Sequence, residues 1–265
     1  MKLVVKLGGT LLDWEESRQR LAIEIGGLAA RGHRVVVVHG GGKQLTRHLT
    51  ERGVESRFVG GFRVTTPETL RAVVQVLAGE VNLALVSALE QAGARAVGLT
   101  GADAGLARAV ALSPDLGAVG RIDQVRAELL DLLTGRGYVP VVGCLAGGRQ
   151  GEVFNVNADQ MAVAVASHFL ADRLIFLTDV EGVLDGERRR IPELTAEEAG
   201  ALISSGVAAG GMEAKLKACS SAVRQGVPAV QIAAGAEPRI LERLLAGEAA
   251  GTTVRAVARG TTSCR

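Results

Sequence analysis

Six short runs of aliphatic and often β-branched residues recur along the 265-residue chain. The runs are 3–7, 35–38, 96–99, 139–142, 174–177 and 229–232. Because they are nearly continuous rather than alternating with polar residues, they predict strands that are covered on both faces, as in a parallel sheet. Between these runs lie stretches with helical periodicity, including 17–31, 67–90 and 158–170. We therefore expect an α/β fold, with helices on both faces of an open sheet and ligands at the carboxyl ends of its strands.

Composition excludes several classes of protein. A formal net charge of +2, with acidic and basic residues evenly spread and 3% aromatic residues, argues against nucleic acid as a partner. No signal peptide or membrane span is expected, since Lys6 and Gly8 interrupt the first apolar run. The three cysteines, Cys144, Cys219 and Cys264, fit neither a disulfide framework nor zinc-ligand spacing. We expect a soluble protein of the reducing cytoplasm.

Two lysines beside glycines carry most of the functional signal. Lys6 closes the first apolar run and is followed by Gly8 and Gly9, whose bare backbone N–H groups can approach an anion. An ammonium group at the end of a buried strand needs an anion or must reach solvent, and both interpretations are open for Lys6 alone. Lys215 lies off the apolar stripe of a predicted helix at 213–224, so by itself it is most simply a surface lysine. Together the two lysines predict a phosphate site for a nucleotide.

A second glycine cluster, 40–42, follows His39 at the end of the second run. Three glycines before a helix favour close approach to an anion, although a tight strand-to-helix turn is the alternative. The cluster fits neither a Rossmann fingerprint, because Leu45 replaces the third glycine, nor a Walker loop, because Gln44 follows Lys43. His39 itself is most simply a core histidine with satisfied hydrogen bonds.

Three further segments are candidates for polar recognition. Asp159, within 155–160, could serve the first turn of a helix or hold two lysines apart. Arg63, on a glycine-rich loop, suits bidentate capture of a carboxylate but could be a surface residue. The acidic turn at 177–183 is a plausible floor for a base and ribose, or a bare hairpin. The turn at 147–151 is the best boundary between two lobes, 1–150 and 151–265, of one domain.

These motifs, taken in order, resemble the amino acid kinase family. The resemblance runs from Lys2 to about Val254 and includes seven segments: 6–9, 39–42, 61–65, 97–101, 155–159, 178–183 and 211–215. It implies a three-layer αβα sandwich around an open, mainly parallel sheet. It also implies an amino-terminal lobe that binds N-acetyl-L-glutamate and a carboxyl-terminal lobe that binds MgATP. The implied reaction transfers phosphate from ATP to the γ-carboxylate of N-acetyl-L-glutamate in arginine biosynthesis.

The resemblance also implies roles for individual residues. Lys6 and Lys215 would contact the transferring phosphoryl group, and Asp159 would organise both. The acetylated amino acid would be held by Gly41, Gly42, Arg63 and Asn155, with Arg63 on the α-carboxylate. The nucleotide site would include Gly8, Gly9, Asp179, Val180, Glu181, Gly182, Val183, Leu184, Val207, Ala208 and Ala209. The magnesium ion would be carried on the phosphates, with no metal ligand from the protein.

The chain departs from the usual family pattern at several points, and two alternative activities remain open. Leu83 and Ala104 replace a lysine and a glycine that are usual in the family. The chain begins at its first strand, without the amino-terminal helix of arginine-inhibited hexameric members, so a homodimer without strong arginine feedback is expected. The alternatives are an acyl-aminoadipate or carrier-linked kinase of lysine biosynthesis and a non-catalytic nucleotide-sensing module.

Overall fold

The computed structural model describes residues 1–256, so Cys264 lies outside the described residues. The strands are β1 Lys2–Leu7, β2 Arg34–His39, β3 Phe58–Val59, β4 Phe62–Arg63, β5 Arg95–Thr100, β6 Ala107–Ala111, β7 Val119–Val125, β8 Tyr138–Gly143, β9 Leu145–Gly147, β10 Val153–Val156, β11 Arg173–Thr178, β12 Glu193–Thr195, β13 Ala229–Ala234 and β14 Thr252–Arg255. The α-helices are α1 Gly9–Leu12, α2 Glu15–Ala30, α3 Gly42–Glu51, α4 Pro67–Val73, α5 Asn82–Gln91, α6 Glu128–Gly135, α7 Ala158–His168, α8 Ala196–Ser204, α9 Gly210–Arg224 and α10 Ile240–Leu245.

An eight-stranded sheet in the order β12-β14-β13-β11-β1-β2-β8-β5 forms the centre of the protein. All six predicted strands lie in it as one parallel block from β13 to β5, which confirms the expected sheet. β1, β2, β8, β11 and β13 are buried almost throughout, as their continuous apolar runs require. β5 is the half-exposed strand at one edge. β14, antiparallel to β13, and β12 complete the opposite edge.

Helices cover both faces of the sheet, which confirms the three-layer architecture. On one face α2 packs against α5 and α10, and on the other α7 packs against α9 and on β1. Lys2 and Lys6 project from β1 toward the face of α7: the Lys2 ammonium group contacts the Phe169 carbonyl oxygen at 3.0 Å, and Lys6 reaches Asp159 of α7. Alternate residues of a strand point to opposite faces, so Leu3, Val5 and Leu7 face the other layer.

The predicted helix at 67–90 is a continuous helix, Pro67–Gln91, whose middle segment, Val74–Val81, has the wider π-helical hydrogen bonding. Thr66 caps its start by accepting a hydrogen bond from the Thr69 N–H at 3.2 Å. Among residues 1–256, this is the one helix long and apolar enough to cross a membrane by length and composition. Half of its most apolar stretch is buried inside the protein, as in a core helix.

Two smaller β structures lie outside the main sheet and were not predicted. β6, β7, β9 and β10 pair in a closed ring, and β3 and β4 form a hairpin. Gly60 and Gly61 make the hairpin turn with φ of 56° and 82°, a region that favours glycine. The turn at 147–151 joins β9 to β10, which pair with each other. The main sheet crosses the predicted lobe boundary where β1 pairs with β11, so the two-lobe division stays a prediction.

Candidate active site

The two glycine clusters and the start of α7 meet at the carboxyl ends of β1 and β2. A Cβ atom placed on Gly9 would lie 3.5 Å from the Gly42 nitrogen, and one on Gly40 would lie 3.3 Å from Ala158 Cβ. The starts of α1, α3 and α7 therefore converge on one region, as expected for the ligand-binding edge of a parallel sheet. Helix starts leave N–H donors without intrahelical partners, so this region offers donors to an anion.

Lys6 and Asp159 form an ion pair at this junction. The Lys6 Nζ lies 2.7 Å from Asp159 Oδ1, and the side chains are 11% and 16% exposed. Asn157 caps α7 by accepting hydrogen bonds from the Asp159 and Gln160 N–H groups at 2.9 and 3.2 Å. The cap places Asp159 in the first turn of the helix, where the macrodipole favours a carboxylate. The structure thus confirms that Asp159 lies in the first turn of a helix and pairs it with one of the two lysines, Lys6, whereas its predicted role toward Lys215 stays a prediction.

Lys215 approaches the same region from α9. It is half-buried rather than fully exposed, and within residues 1–256 it forms no ion pair. Burial raises the pKa of the Cys219 thiol, and nearby Asp159 raises it further whereas nearby Lys215 lowers it. Burial likewise raises the pKa of Cys144 to about 12, against the influence of Lys6. The two buried thiols thus lie among the three predicted catalytic charges.

A cavity of about 210 Å³ opens beside the glycine cluster. Its lining includes the four residues predicted to bind the acetylated amino acid: Gly41 and Gly42 of the glycine loop, Arg63 of the hairpin and Asn155 of β10. Its lining residues are Gly40, Gly41, Gly42, Leu45, Phe58, Gly61, Phe62, Arg63, Leu77, Val119, Cys144, Asn155, Val156, Asn157 and Ala158. Apolar walls with one cation and several N–H groups suit a small anionic molecule that also has an apolar part.

Arg63 is held at the rim of this cavity. Its guanidinium donates to Thr46 Oγ1 at 2.6 Å, to the Gly42 carbonyl oxygen at 3.3 Å and to Ser56 Oγ. It also stacks over the Phe58 ring, 4.7 Å from the ring centroid. Partial burial lowers the pKa of Arg63, although an arginine remains charged under all physiological conditions. The hairpin thus holds the Arg63 guanidinium in place, and no carboxylate among residues 1–256 forms an ion pair with it.

The other residues predicted to bind the acceptor molecule are held by hydrogen bonds or by close packing. Asn155 donates through its side chain to Thr65 Oγ1 at 3.1 Å and through its N–H to the Ala118 carbonyl oxygen at 2.9 Å. Gly41 is packed so closely that a Cβ there would lie 2.3 Å from Leu77 Cδ2. A Cβ on Gly42 would meet nothing within 4 Å, so that glycine lies open to the cavity.

The predicted nucleotide residues divide into exposed and buried sets. Asp179 accepts a hydrogen bond from Thr178 Oγ1 at 3.0 Å and is exposed, as is Glu181. The exposed apolar side chains are Val180, Leu184 and Val207. Val183 and Ala208 instead face the core, with exposures of 0% and 4%, and Gly182 is also buried. Their positions allow backbone contacts only, whereas the three exposed apolar side chains can cover a base.

A larger groove, of about 850 Å³, continues from Asp159 between α7 and α9. Val163 and His168 line it from α7, and Ser221 lines it from α9. The hairpin turn at Gly60 closes one side. The surroundings of Asp159 are therefore open to solvent along the interface of these two helices.

His39 is buried and hydrogen-bonded, which confirms the core histidine that its position predicted. Its partner Asn82 was not selected from the sequence. Asn82 is 5% exposed and lies on the buried face of a long apolar helix. A polar residue on such a face indicates a buried hydrogen-bond partner, so the apolar pattern around Asn82 could have identified it from the sequence.

The chain belongs to the amino acid kinase family, whose pattern matches residues 1–234. It is 60% identical to the acetylglutamate kinase of Solibacter usitatus over 252 residues, covering 95% of this chain and 98% of that protein. The acetylglutamate kinase of Koribacter versatilis is 43% identical over 234 residues, 88% of this chain and 90% of that protein. That of Agrobacterium fabrum is 40% identical over 95% of this chain and 90% of its own length.

Solved structures give the same family likeness. A protein of Streptococcus mutans UA159 superposes with a TM-score of 0.83 at 26% identity, covering 96% of this chain and 98% of its own. An N-acetylglutamate synthase from Neisseria gonorrhoeae, complexed with coenzyme A and N-acetyl-glutamate, gives a TM-score of 0.87 at 27% identity. This chain is covered to 97% and the synthase to 60%, so only part of the synthase is matched.

Proposed function

We propose that this protein transfers the γ-phosphoryl group of ATP to the γ-carboxylate of N-acetyl-L-glutamate, producing N-acetylglutamyl 5-phosphate for arginine biosynthesis. The observation that carries the proposal is the Lys6–Asp159 ion pair beside a small cavity rimmed by Arg63. The identity to acetylglutamate kinases over nearly the whole chain supports the same activity.

The acceptor fits the 210 Å³ cavity by charge and shape. Arg63 pairs with the α-carboxylate, because a guanidinium presents two parallel N–H donors to a carboxylate. Asn155 and the N–H groups of Gly41 and Gly42 contact the remaining polar atoms. Leu77, Val119 and the other apolar walls accommodate the acetyl methyl group and the methylene chain.

Phosphoryl transfer here requires charge compensation rather than proton abstraction. The attacking γ-carboxylate is already ionised at neutral pH, so no general base is needed. Lys6 and Lys215 approach the transferring group from β1 and α9, and Asp159 keeps the Lys6 ammonium group in place. A preorganised donor of this kind lowers the barrier by about 3 kcal/mol, since it acts where negative charge accumulates.

The nucleotide lies on the 151–265 side of the site and the acceptor on the 1–150 side. Gly8 and Gly9 lie at the phosphates together with the N-terminus of α9, whose preceding residues include Ala209. The adenine and ribose rest on the exposed set Asp179, Val180, Glu181, Leu184 and Val207, with backbone contacts from Gly182, Val183 and Ala208.

The metal is held by the phosphates of ATP. Lys6 and Lys215 suit a phosphate chain that brings its own cation. Bound Mg²⁺ would neutralise part of the phosphate charge.

We also propose a cytoplasmic homodimer. Val74 and Leu83 are 40% and 68% exposed on the helix beside the edge strand β5. An exposed apolar helix face next to an unpaired sheet edge suits a symmetric contact between two copies. Sedimentation equilibrium should give twice the chain mass, and Leu83→Glu should shift it toward the monomer; a wild-type monomer would contradict the assembly.

Hydroxylamine trapping of acyl phosphate tests the activity directly. With MgATP, N-acetyl-L-glutamate should yield hydroxamate, whereas L-glutamate, L-aspartate and N-acetyl-L-aminoadipate should not. Preferential turnover of the aminoadipate derivative would select the lysine-pathway kinase instead. ATP binding without turnover of any acceptor would select the nucleotide-sensing module.

A further inference from the structure

A buried hydrogen-bonded pair lies directly beneath the glycine loop. His39 is 0% exposed, with its Nδ1 2.9 Å from the Gly40 carbonyl oxygen and its Nε2 3.0 Å from Asn82 Nδ2. Neither side chain has a role in the proposed phosphoryl transfer. The pair nevertheless joins the acceptor loop to the long helix on one face of the sheet.

The contacts of Asn82 determine the tautomer of the imidazole. Its amide nitrogen also lies 2.9 Å from the Val141 carbonyl oxygen and 3.3 Å from that of Leu99. Carbonyl oxygens only accept, so the NH₂ group faces them, and its two hydrogens serve the two shorter contacts, to the Val141 carbonyl oxygen and to His39 Nε2. The His39 proton is then on Nδ1, which donates to the Gly40 carbonyl oxygen. Burial lowers the pKa of His39 to about 4, so the ring stays neutral at physiological pH.

This hydrogen bond orients the peptide between Gly40 and Gly41. The peptide is trans, so its carbonyl oxygen and its N–H point in opposite directions. With the carbonyl oxygen held by the buried ring, the Gly41 N–H is directed away from that ring. Gly40, Gly41 and Gly42 line the acceptor cavity, and within residues 1–256 the Gly41 N–H donates to no acceptor.

The opposite side of the loop is fixed by the same helix. A Cβ on Gly41 would lie 2.3 Å from Leu77 Cδ2 and 3.3 Å from Val81 Cγ2. Both residues belong to the π-helical segment Val74–Val81, which ends immediately before Asn82. Segments of this type occur frequently at functional sites. The continuous helix Pro67–Gln91 therefore supplies both the packing on Gly41 and the partner of His39.

We infer that His39 and Asn82 are positioning residues that aim the Gly41 N–H into the cavity that binds the acceptor. The inference rests on the proposed function, because it assigns a donor to the acceptor of that reaction. Neither side chain touches the substrate. Their effect is to hold one N–H donor in place before the substrate arrives, so that no reorganisation is needed as charge shifts during transfer.

Two substitutions of His39 separate positioning from simple packing. In His39→Asn, the amide nitrogen takes the place of Nδ1 and can still donate to the Gly40 carbonyl oxygen, while Asn82 keeps its two carbonyl acceptors. In His39→Gln, the amide group takes the place of Nε2, so the contact with Asn82 survives and the donor to Gly40 is lost. His33→Gln, at the other end of β2, is the matched control.

The expected result is a divergence between the two variants. His39→Gln should lower kcat/KM for N-acetyl-L-glutamate by about tenfold or more, as expected for one misdirected hydrogen bond, with the KM for ATP unchanged. His39→Asn should stay within about threefold of wild type, as should His33→Gln. Equal losses in both His39 variants, following their unfolding free energies, would overturn the inference.

A measurement on the ligand-free protein makes the outcome independent of activity. Beyond the shift that both variants share through loss of the imidazole ring, the ¹H–¹⁵N resonance of Gly41 should move further in His39→Gln and not in His39→Asn. A resonance equally displaced in both variants, or in neither, would overturn the positioning role. A wild-type protein that phosphorylates no acceptor would instead contradict the proposed function, and the Gly41 resonance would still decide the inference.

Discussion

Lys6 Nζ lies 2.7 Å from Asp159 Oδ1, whereas Lys215, half-buried on α9, has no ion-pair partner within residues 1–256. The two lysines therefore differ electrostatically before any substrate binds. Lys6 already has a counter-charge, and Lys215 is available to a phosphate. Lys6 pairs with Asp159, and both Asp159 and Lys215 lie close enough to the buried Cys219 thiol to influence its pKa.

This difference predicts unequal effects on stability. Lys6→Met should lower the free energy of unfolding by about 1–3 kcal/mol, because it leaves the Asp159 carboxylate unpaired in a largely buried position. Lys215→Met should change it by less than about 0.5 kcal/mol. Urea unfolding at pH 7 measures both values. Equal destabilisation by the two substitutions would mean that Lys215 has a structural partner as well.

Removal of the Arg63 side chain should weaken the binding of N-acetyl-L-glutamate and leave the binding of ATP unchanged. Arg63→Ala should raise the KM for N-acetyl-L-glutamate by about tenfold to a hundredfold, the range for a lost charge-assisted contact, and leave the KM for ATP unchanged. Arg63→Lys should recover part of the loss, since an ammonium group keeps the charge but not the paired donors. Arg57→Ala, an exposed arginine just before the hairpin, is the control. A comparable rise in the KM for ATP would place Arg63 elsewhere in the reaction.

The two cavity glycines should respond differently to an added methyl group. Gly41→Ala should cost about 1–3 kcal/mol of stability, because its Cβ would lie 2.3 Å from Leu77 Cδ2 in a packed core. Gly42→Ala should cost less than about 0.5 kcal/mol, since nothing lies within 4 Å of its Cβ. Leu77→Ala should reduce the cost of Gly41→Ala, giving a coupling of about 1 kcal/mol in a double-mutant cycle. Additive costs would exclude this contact as the cause.

Stability should fall in acid because His39 is buried in its neutral form. Its pKa is lowered from 6.5 to about 4, so between these values the unfolded chain binds the proton more readily than the folded protein. This contribution is absent above pH 6.5 and should reach about 3 kcal/mol of destabilisation near pH 4. The free energy of unfolding of His39→Asn should therefore approach or exceed that of wild type as pH falls. A constant difference between the two proteins from pH 7 to pH 4 would contradict a neutral buried His39.

The main sheet was predictable because five of its six parallel strands are buried almost throughout, and the sixth, β5 at the edge, is half-exposed. Each consequently appears in the sequence as an apolar run, from Leu3 to Ile232, and the helices between them keep a helical period. The ring of β6, β7, β9 and β10 was not predictable in this way. β7 contains Arg121, Asp123 and Gln124, so it forms no apolar run, and its pairing with β10 depends on contacts distant in sequence.

The residues of the candidate site also differ in how far the sequence could predict them. Lys6 and Asp159 could be selected because a strand end and a helix start restrict where their side chains go, and the structure pairs them. The loop after β11 gave no such restriction, so the orientation of Val183 into the core required the structure. Asn82 was missed because its partner His39 is 43 residues away, although a buried asparagine always needs a partner.

The most direct test is the turnover of Lys6→Ala and Lys215→Ala, measured as hydroxamate formed from N-acetyl-L-glutamate with saturating MgATP. Arg224→Ala is the matched control, because this exposed basic residue lies at the end of the same helix and outside the groove. Each of the first two substitutions should lower kcat by about a hundredfold or more, as for removal of one preorganised charge donor, and the control should retain wild-type turnover. Turnover within about threefold of wild type in either Lys6→Ala or Lys215→Ala would contradict the claim that both cations act on the transferring phosphoryl group.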